Sequence, residues 1–359
     1  MTSGHYLFAL AFLFLLGCDD RRDIVDLGID GSKTLPVRIK IDWSRAGITP
    51  TNASIWFFNA ADGAPAGRPE LTNEMELTVN LRAGRYSVLV FNGTVSDQDN
   101  IRFRGTDSYL TFEAYAYGEA PPANFQLKAD NDDEDPAFIT PPNVLAADHM
   151  DMLEVTLKMI DRGEELSVTF TPLRLVSLID ITVHFRGLLY SAATGHSGVI
   201  TGMANGVFLA TGKTGMGSAN HAFTLNNRSF YPGSGMDGVM NRSFLCFGLP
   251  GMTYYPIQLS ETSHMLLLNI LLRNGDHAVY SMDVSGNIDY SDDISGVNLW
   301  VVLGQYLPDP SDPPDPSDPP TVDDGITLPE VPGLDSSNGG FDPDVNDWGE
   351  VIDIPTPVN

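Results

Sequence analysis

The clearest strand in the sequence is Val37-Arg38-Ile39-Lys40-Ile41-Asp42-Trp43, where apolar and charged residues alternate. Successive side chains of a β-strand point to opposite faces, so this period of two places all the apolar side chains on one face. The fold is therefore expected to begin with a strand that buries Val37, Ile39, Ile41 and Trp43 together.

Further short apolar runs follow at intervals typical of an all-β chain. They lie at residues 54–58, 74–81 and 85–92, with turn residues such as Asp62-Gly63 and Ala83-Gly84 between them, and then at residues 153–159, 166–171, 178–185 and 265–272. Closely spaced strands without a convincing helix favour β-sandwich packing. Residues 191–238 are rich in Gly, Ser, Asn and Thr, which predicts long loops there.

The length of the chain predicts two domains. Its 359 residues exceed the usual size of a single hydrophobic core. The acidic run Asp130-Asn131-Asp132-Asp133-Glu134-Asp135 and the pair Pro141-Pro142 indicate an exposed connection, so we place a junction near residue 145. The predicted sandwich domains are therefore residues 35–145 and 146–306.

The first residues predict export and lipid attachment. Eleven apolar or aromatic residues, Tyr6 to Leu16, precede Gly17, Cys18 and a charged run. A helix of that length reaches only about 17 Å, too short for a hydrocarbon core of roughly 30 Å. Because Leu15-Leu16-Gly17-Cys18 resembles a lipobox, residues 1–17 are a predicted lipoprotein signal peptide, Cys18 the predicted lipid attachment site and residues 18–34 an acidic tether. An ordinary secretory signal is the alternative.

The formal net charge of −27 excludes some classes of partner. A surface this acidic repels nucleic acid and anionic lipid, so neither is expected to bind directly. Contact with a membrane would then depend on the lipid carried by Cys18. Cys246 is the other cysteine of the sequence, so no internal disulfide is expected and stability must come from burial.

The C-terminal part of the chain changes character at Leu307. The run Asp309-Pro310-Ser311-Asp312-Pro313-Pro314 is repeated over residues 315–320, and proline stiffens the backbone. Residues 307–340 are therefore a predicted Pro/Asp-rich spacer, in which residues 308–320 would extend roughly 40 Å as polyproline II. Residues 341–359 form a predicted tail with the apolar side chains Phe341, Val345, Trp348, Val351, Ile352 and Ile354.

Two interpretations of this tail remain open. It could be donated as a strand to another subunit, because an open sheet edge presents unpaired N–H and C=O groups. It could instead pack on its own domain. We favour packing on its own domain, since only Ile352, Asp353 and Ile354 alternate cleanly.

The sequence contains no recognisable catalytic or cofactor motif, so no enzyme is expected. Gly-x-Ser-x-Gly and His-Glu-x-x-His do not occur, Gly233-Ser234-Gly235 is typical of a turn, and the histidines are scattered without metal-ligand spacing. Two acidic clusters offer oxygen ligands for Ca²⁺: residues 130–135, and the group Asp342, Asp344, Asn346 and Glu350. Neither ends with the bidentate glutamate of a calcium loop at the required distance, so solvated loops are favoured and no metal is predicted.

Several stretches give the chain a family resemblance. They include Gly84-Arg85-Tyr86-Ser87-Val88 within residues 81–92, Phe103-Arg104-Gly105-Thr106-Asp107-Ser108, and residues 112–115, 168–176, 200–204 and 339–348. Through these stretches the chain resembles a Bacteroidales lipoprotein family of unknown function, related to the fimbrillin and minor-fimbrial-anchor superfamily. The resemblance implies two tandem transthyretin-like, Greek-key β-sandwich domains. It also implies partners among fimbrial subunits, which assemble by strand exchange.

These observations favour a non-catalytic lipoprotein on the outer membrane, facing the cell exterior. Asp19 and Asp20 resemble the export signal that follows the lipidated cysteine in such proteins. The favoured role is a fimbrial or fimbria-like accessory or anchor subunit in adhesion or assembly. The alternative is a glycan-binding surface lipoprotein, whose candidate aromatic platforms are Trp43, Trp56, Trp300 and Trp348, although Trp43 lies on an apolar strand face.

Overall fold

The computed structural model describes residues 33–96, 98–119, 138–225, 227–232, 234–293, 296–307, 321–323 and 325–334. Regular structure in these ranges is almost entirely β-strand, which confirms the predicted all-β class. The exceptions are one short helix, α1 (Leu157–Arg162), and 3-10 turns at Tyr109–Thr111, Leu188–Tyr190 and Ser285–Asn287. The expected transthyretin-like, Greek-key connectivity stays a prediction.

The strands fall into two groups along the chain. The first group is β1 (Leu35–Ile41), β2 (Ala53–Asn59), β3 (Glu70–Thr72), β4 (Glu76–Leu81), β5 (Gly84–Asn92), β6 (Arg102–Arg104), β7 (Glu113–Tyr115), β8 (Gly118–Glu119), β9 (Phe138–Ile139), β10 (Ala146–Val155), β11 (Leu166–Phe170) and β12 (Leu173–Arg174). The second group is β13 (Ser177–Arg186), β14 (Ser197–Ala204), β15 (Gly206–Phe208), β16 (Ser218–Thr224), β17 (Asn227–Phe230), β18 (Gly238–Cys246), β19 (Thr253–Tyr254), β20 (Ile257–Gln258), β21 (Met265–Leu271), β22 (His277–Asp283), β23 (Ile288–Asp293), β24 (Gly296–Leu303), β25 (Gln305–Leu307), β26 (Thr321–Asp323) and β27 (Ile326–Thr327).

The first sandwich packs a three-stranded sheet on a five-stranded sheet. The strand orders are β11-β1-β4 and β12-β10-β5-β2-β3. Along β1, buried and exposed residues alternate as the sequence predicts, because only one face of this sheet is covered. Val37 and Ile39 of β1 share a core with Ile55 of β2 and Val88 of β5, so the two sheets enclose one apolar layer.

The five-stranded sheet is buried on both faces. In β5 the six residues from Tyr86 to Phe91 are all buried. If one face of the sheet met solvent, every second side chain would be exposed. Val88 and Val90 face the first sandwich, whereas Leu89 and Phe91 belong to a second, larger core that extends into the rest of the chain. This sheet therefore lies between two hydrophobic cores and contributes side chains to both.

The second sandwich consists of two six-stranded sheets. One has the order β17-β18-β13-β24-β23, with β27 also paired to β13, and the other has the order β22-β21-β14-β16-β9-β8. Residues of β13 such as Ile179 and Ile181 pack in the same core as Ile200 of β14 and Leu268 of β21. The apolar runs predicted at residues 178–185 and 265–272 are thus the opposing layers of this core.

The strand pairing does not follow the predicted junction near residue 145. β10 pairs with β5 and β11 pairs in parallel with β1, so residues after 145 complete the first sandwich. Conversely, β9 lies before residue 145 and pairs with β16 of the second sandwich. The acidic run at residues 130–135 lies outside the described residues, whereas Pro141 is partly buried and Pro142 is buried. Composition does not determine which sheet the following strand joins.

The predicted spacer, residues 307–340, contains folded segments. β25 and β26 are antiparallel, with Leu307 opposite Thr321, so the residues that flank 308–320 are neighbours. Residues 308–320 themselves, for which an extension of roughly 40 Å was predicted, lie outside the described residues. Farther along, Ile326 and Leu328 are buried in the large core. The second sandwich therefore extends well beyond residue 306.

The long loops predicted between residues 191 and 238 are wrong in large part. This region forms β14, β15, β16 and β17. Its glycines serve close packing: a Cβ placed on Gly198 would lie 2.4 Å from the ring of Phe223. Glycine in this region indicates tight strand packing, which composition alone does not distinguish from a loop.

Candidate assembly surface

The residues on which the sequence predictions depended most lie outside the described ranges. This holds for the predicted lipid site Cys18, for both acidic clusters, and for the tail residues Phe341, Val345, Trp348, Val351, Ile352 and Ile354. Within the described ranges, no helix is both long and apolar enough to cross a membrane. In the described part of the chain, the open sheet edges are candidate surfaces for assembly.

The strand β22 is the longest exposed edge in the second sandwich. It pairs with β21 over its whole length, from Met265 opposite Asp283 to Leu271 opposite His277, and no other described strand pairs with its outer side. Its inner side chains, such as Tyr280, pack towards the core, while Val279 is 66% exposed. The outer N–H and C=O groups of β22 are therefore available to an added strand.

The strand β11 is a comparable edge in the first sandwich. It pairs with β1 on one side, and no described strand covers its other side. Its sequence, Leu-Ser-Val-Thr-Phe, carries neither charge nor proline. Charge and proline are the usual protections of an edge against strand addition, so β11 and the central part of β22 are unprotected.

Two further edge strands carry acidic residues: β4, in the same sheet as β11, and β23, in the sheet opposite that of β22. β23 contains Asp289, and β4 contains Glu76, which pairs with Arg38 at 3.2 Å. An incoming strand at these edges would have to desolvate carboxylates. These carboxylates distinguish β4 and β23 from β11 and β22, which are the candidate assembly edges.

Sequence reasoning missed β22, although a usable signal was present. The apolar run of β21 is followed by Asn274-Gly275, and Gly275 adopts a positive φ of 88°. Asn-Gly between two apolar runs is the strongest short-range signal of a β-hairpin. Applied here, it predicts a partner strand directly after residue 276, where β22 begins.

The tryptophans offer little exposed surface for a glycan. Trp43 is 4% exposed and lies in the core of the first sandwich. Trp56 is partly buried against the large core, with its ring 4.9 Å from that of Phe112, and Trp300 is likewise only partly exposed. Trp348 lies outside the described residues. No described tryptophan is a flat, exposed platform of the kind that sugar stacking requires.

The potential nucleophiles are held in structural roles. Cys246 is fully buried, and burial raises the pKa of its thiol to about 12, which keeps it protonated. Ser234 is also buried, and its Oγ accepts a hydrogen bond of 2.8 Å from the backbone N–H of Asp237, as befits the predicted turn. Among the described residues, no group of three or more His, Cys, Asp or Glu side chains could hold a metal ion.

The comparisons with known proteins bear first on the fold. A crystal structure of a putative adhesin from Bacteroides ovatus superposes with a TM-score of 0.52 and 23% identity, over 88% of this chain and 99% of that one. At that identity the likeness shows a common fold. A fimbrial anchor protein, Mfa2 from Porphyromonas gingivalis, is a weaker match, with a TM-score of 0.44 and 9% identity over 80% of this chain and 95% of that one. The chain therefore shares its multi-sheet, all-β fold with the Bacteroides ovatus structure.

The sequence comparison then gives the family. The chain belongs to the family described as Domain of unknown function (DUF5119), whose profile matches residues 17–224, more than half of the chain. A curated relative, the Putative fimbrium anchoring subunit Fim4B of Bacteroides ovatus, is 35% identical over 117 residues. That alignment spans 31% of this chain and 31% of the relative. The expected resemblance to a family of unknown function with fimbrial relatives is confirmed.

Proposed function

We propose that this chain is a non-catalytic fimbrial or fimbria-like accessory or anchor subunit, held on the outer membrane by lipid on Cys18. The observation that carries the proposal is its similarity to a fimbrium anchoring subunit of Bacteroides ovatus. The adhesin-like fold is consistent with it, and so are the buried, structural settings of Cys246 and Ser234. Such a protein acts by binding other subunits and not by chemistry.

The proposed partners are fimbrial subunits, which would add an extended segment to β11 or β22. Main-chain hydrogen bonds to the exposed edge would supply affinity, and alternate side chains of the incoming strand would supply specificity. The net charge of −27 favours partners that bring a neutral or basic strand to these edges.

The location is tested by protease shaving of intact cells that express the wild type or Cys18→Ala. Lipid with two or three acyl chains holds a protein durably on a bilayer, so the wild type should be membrane-bound and cleaved from outside. Cys18→Ala should be released in soluble form. A wild-type protein that stays protected until the outer membrane is broken would contradict surface anchoring.

The assembly edge is tested by placing lysine on β22. Val279→Lys and Ser281→Lys keep the pairing with β21 but put charge on exposed positions of the edge, which discourages strand addition. The matched control is Val302→Lys, since Val302 is also exposed but lies on β24, which is paired on both sides. Fimbrial subunits that co-purify with the wild type should be lost from the β22 variants only. Equal recovery from all three variants would remove β22 as the edge and leave β11 to be tested in the same way.

A further inference from the structure

Two arginines of the second sandwich converge on the backbone carbonyl of Ser191. Arg228 lies on β17, and its Nη1 donates hydrogen bonds to the carbonyl oxygens of Ala192 at 2.6 Å and Ser191 at 3.1 Å. Arg273 lies in the turn between β21 and β22, and its Nε points to the carbonyl oxygen of Ser191 at 3.4 Å. His196 also contacts the Ala192 carbonyl through Nε2, at 2.9 Å. We call Arg228 and Arg273 the arginine pair.

The arginine pair has no acidic partner among the described residues, although the chain carries a net charge of −27. The described ion pairs involve other residues. The carboxylate of Asp276 accepts a hydrogen bond from Asn274, and that of Asp237 accepts one from Gly187. The pKa of Arg228 is lowered by burial and by the positive charge of Arg273. Two positive charges held close together, with no carboxylate paired to them among the described residues, favour the binding of an anion.

The last described residues of the chain, Val331 and Leu334, pack in a small cluster close to this site. Tyr190, Leu272 and Val331 form a small buried cluster, and Leu334 packs against it. Tyr190 and Leu272 directly precede Ser191 and Arg273, and the backbone N–H of Arg273 donates to the Tyr190 carbonyl at 2.9 Å. Leu334, the last described residue, therefore packs against a cluster that contains the sequence neighbours of Ser191 and Arg273.

The sequence after Leu334 carries acidic residues and no lysine or arginine. Its carboxylates belong to Asp335, Asp342, Asp344, Asp347, Glu350 and Asp353. An extended chain spans up to about 3.3 Å per residue, so even Asp342 could return to the pair from anywhere within roughly 25 Å of Leu334. Because the segment is tethered beside the pair, its effective concentration there is in the millimolar range or above.

We propose that the acidic segment, residues 335–359, docks on the arginine pair of its own chain through carboxylates. The guanidinium fork suits a carboxylate held by two parallel hydrogen bonds, and such charge-assisted bonds are the strong ones. The partly buried setting of Arg228 limits screening by solvent and salt. This inference does not rest on the proposed function, since it concerns contacts within one molecule.

Zero-length cross-linking of the full-length chain tests the docking. Arg273→Lys introduces an amine at the site, which a carbodiimide couples to a touching carboxylate as an amide. Mass spectrometry should find the tail peptide attached at position 273, with a yield about tenfold above that of Arg68→Lys. Arg68 is an exposed arginine of the first sandwich and serves as the matched control. Mixing isotopically heavy and light protein should give links within one copy only, and the yield should fall in 0.5 M salt.

Two results would overturn the proposal. One is a cross-link from position 273 that reaches only Asp276 or forms at the same yield as the control. The other is a cross-link that joins heavy to light chains, which would assign the pair to a second copy.

A second test uses variants of the tail and of the arginine pair. Converting the six tail acids to amides removes the proposed ligands while the arginine pair stays intact. Chymotryptic cleavage after Trp348 should then become about tenfold faster, as should cleavage in Arg228→Gln/Arg273→Gln, because each lost charge-assisted bond shifts the equilibrium by roughly that factor. Arg68→Gln should cleave like the wild type. Unchanged cleavage in the amide variant would reject the docking, whatever the effect of the arginine changes on folding.

Discussion

His221 should make the fold sensitive to mild acid. It lies on β16, is fully buried, and neither ring nitrogen has a hydrogen-bond partner among the described residues. Its ring packs 5.3 Å from that of Phe244 in the large core. An imidazolium there would carry a buried charge with no partner, so burial lowers the pKa of His221 from 6.5 to about 4.

The direction and size of the effect follow from this shift. Because the folded-state pKa is depressed, the unfolded chain takes up the proton first, and stability is complete above pH 6.5 and lost as the pH falls towards 4. Each pH unit inside that window costs about 1.4 kcal/mol. Between pH 7 and pH 5, His221 alone should lower the free energy of unfolding by about 2 kcal/mol.

The assay compares His221→Leu with the wild type by urea denaturation at both pH values. Leucine is similar in volume and does not titrate, so the loss between pH 7 and pH 5 should be about 2 kcal/mol smaller in the variant. Packing differences contribute equally at both pH values and cancel from this comparison. The control is His277→Leu, at an exposed position. Parallel losses in the wild type and His221→Leu would refute the reasoning.

Three further predictions concern packing, an ion pair and a thiol. Gly198→Ala should cost about 1–3 kcal/mol in urea denaturation, because its Cβ would lie 2.4 Å from the Phe223 ring, whereas Gly286→Ala, with open space around it, should cost far less. Arg104→Met should lower the free energy of unfolding by about 2 kcal/mol, since the Glu113 carboxylate is only 5% exposed and would lose hydrogen bonds of 2.6 and 2.9 Å. The destabilisation is limited because the Arg104 side chain is half exposed. Glu113→Gln, measured alongside, should be less destabilising. In Cys18→Ala, the remaining thiol, Cys246, should resist Ellman's reagent until urea unfolds the chain, because it is buried and its pKa is raised to about 12. If the folded protein reacted as fast as an exposed thiol, this prediction would be wrong.

The sequence predicted both the strand and its buried face where the other face of the strand meets solvent. β1 alternates along its whole length, and its period of two identified both the strand and its buried face. β5 was also found as a strand, from its apolar run and the turn residues before it, but its continuous burial was not foreseen. Burial on both faces depends on β10 and on the second core, which are distant in sequence.

After residue 145, local sequence patterns did not predict the ends of the secondary-structure elements correctly. The apolar run at residues 153–159 was assigned to one strand, yet β10 ends at Val155 and α1 begins at Leu157. Thr156 caps α1 through its side chain, and Gly163 ends it in the left-handed region at φ 61°. Those two residues mark the helix, but at six residues it is too short for apolar periodicity to show.

The location of the arginine pair connects the two proposals. Arg273 immediately precedes the hairpin turn that leads into β22, so the proposed docking site of the tail lies at the beginning of the proposed assembly edge. A tail held there adds carboxylates at this edge of a chain whose net charge is already −27, which disfavours the approach of a second copy of this chain. A basic or neutral strand would meet less repulsion at the same edge. Tail docking would therefore favour binding of a different subunit over self-association, and the six acid-to-amide changes should weaken that preference without altering β22 itself.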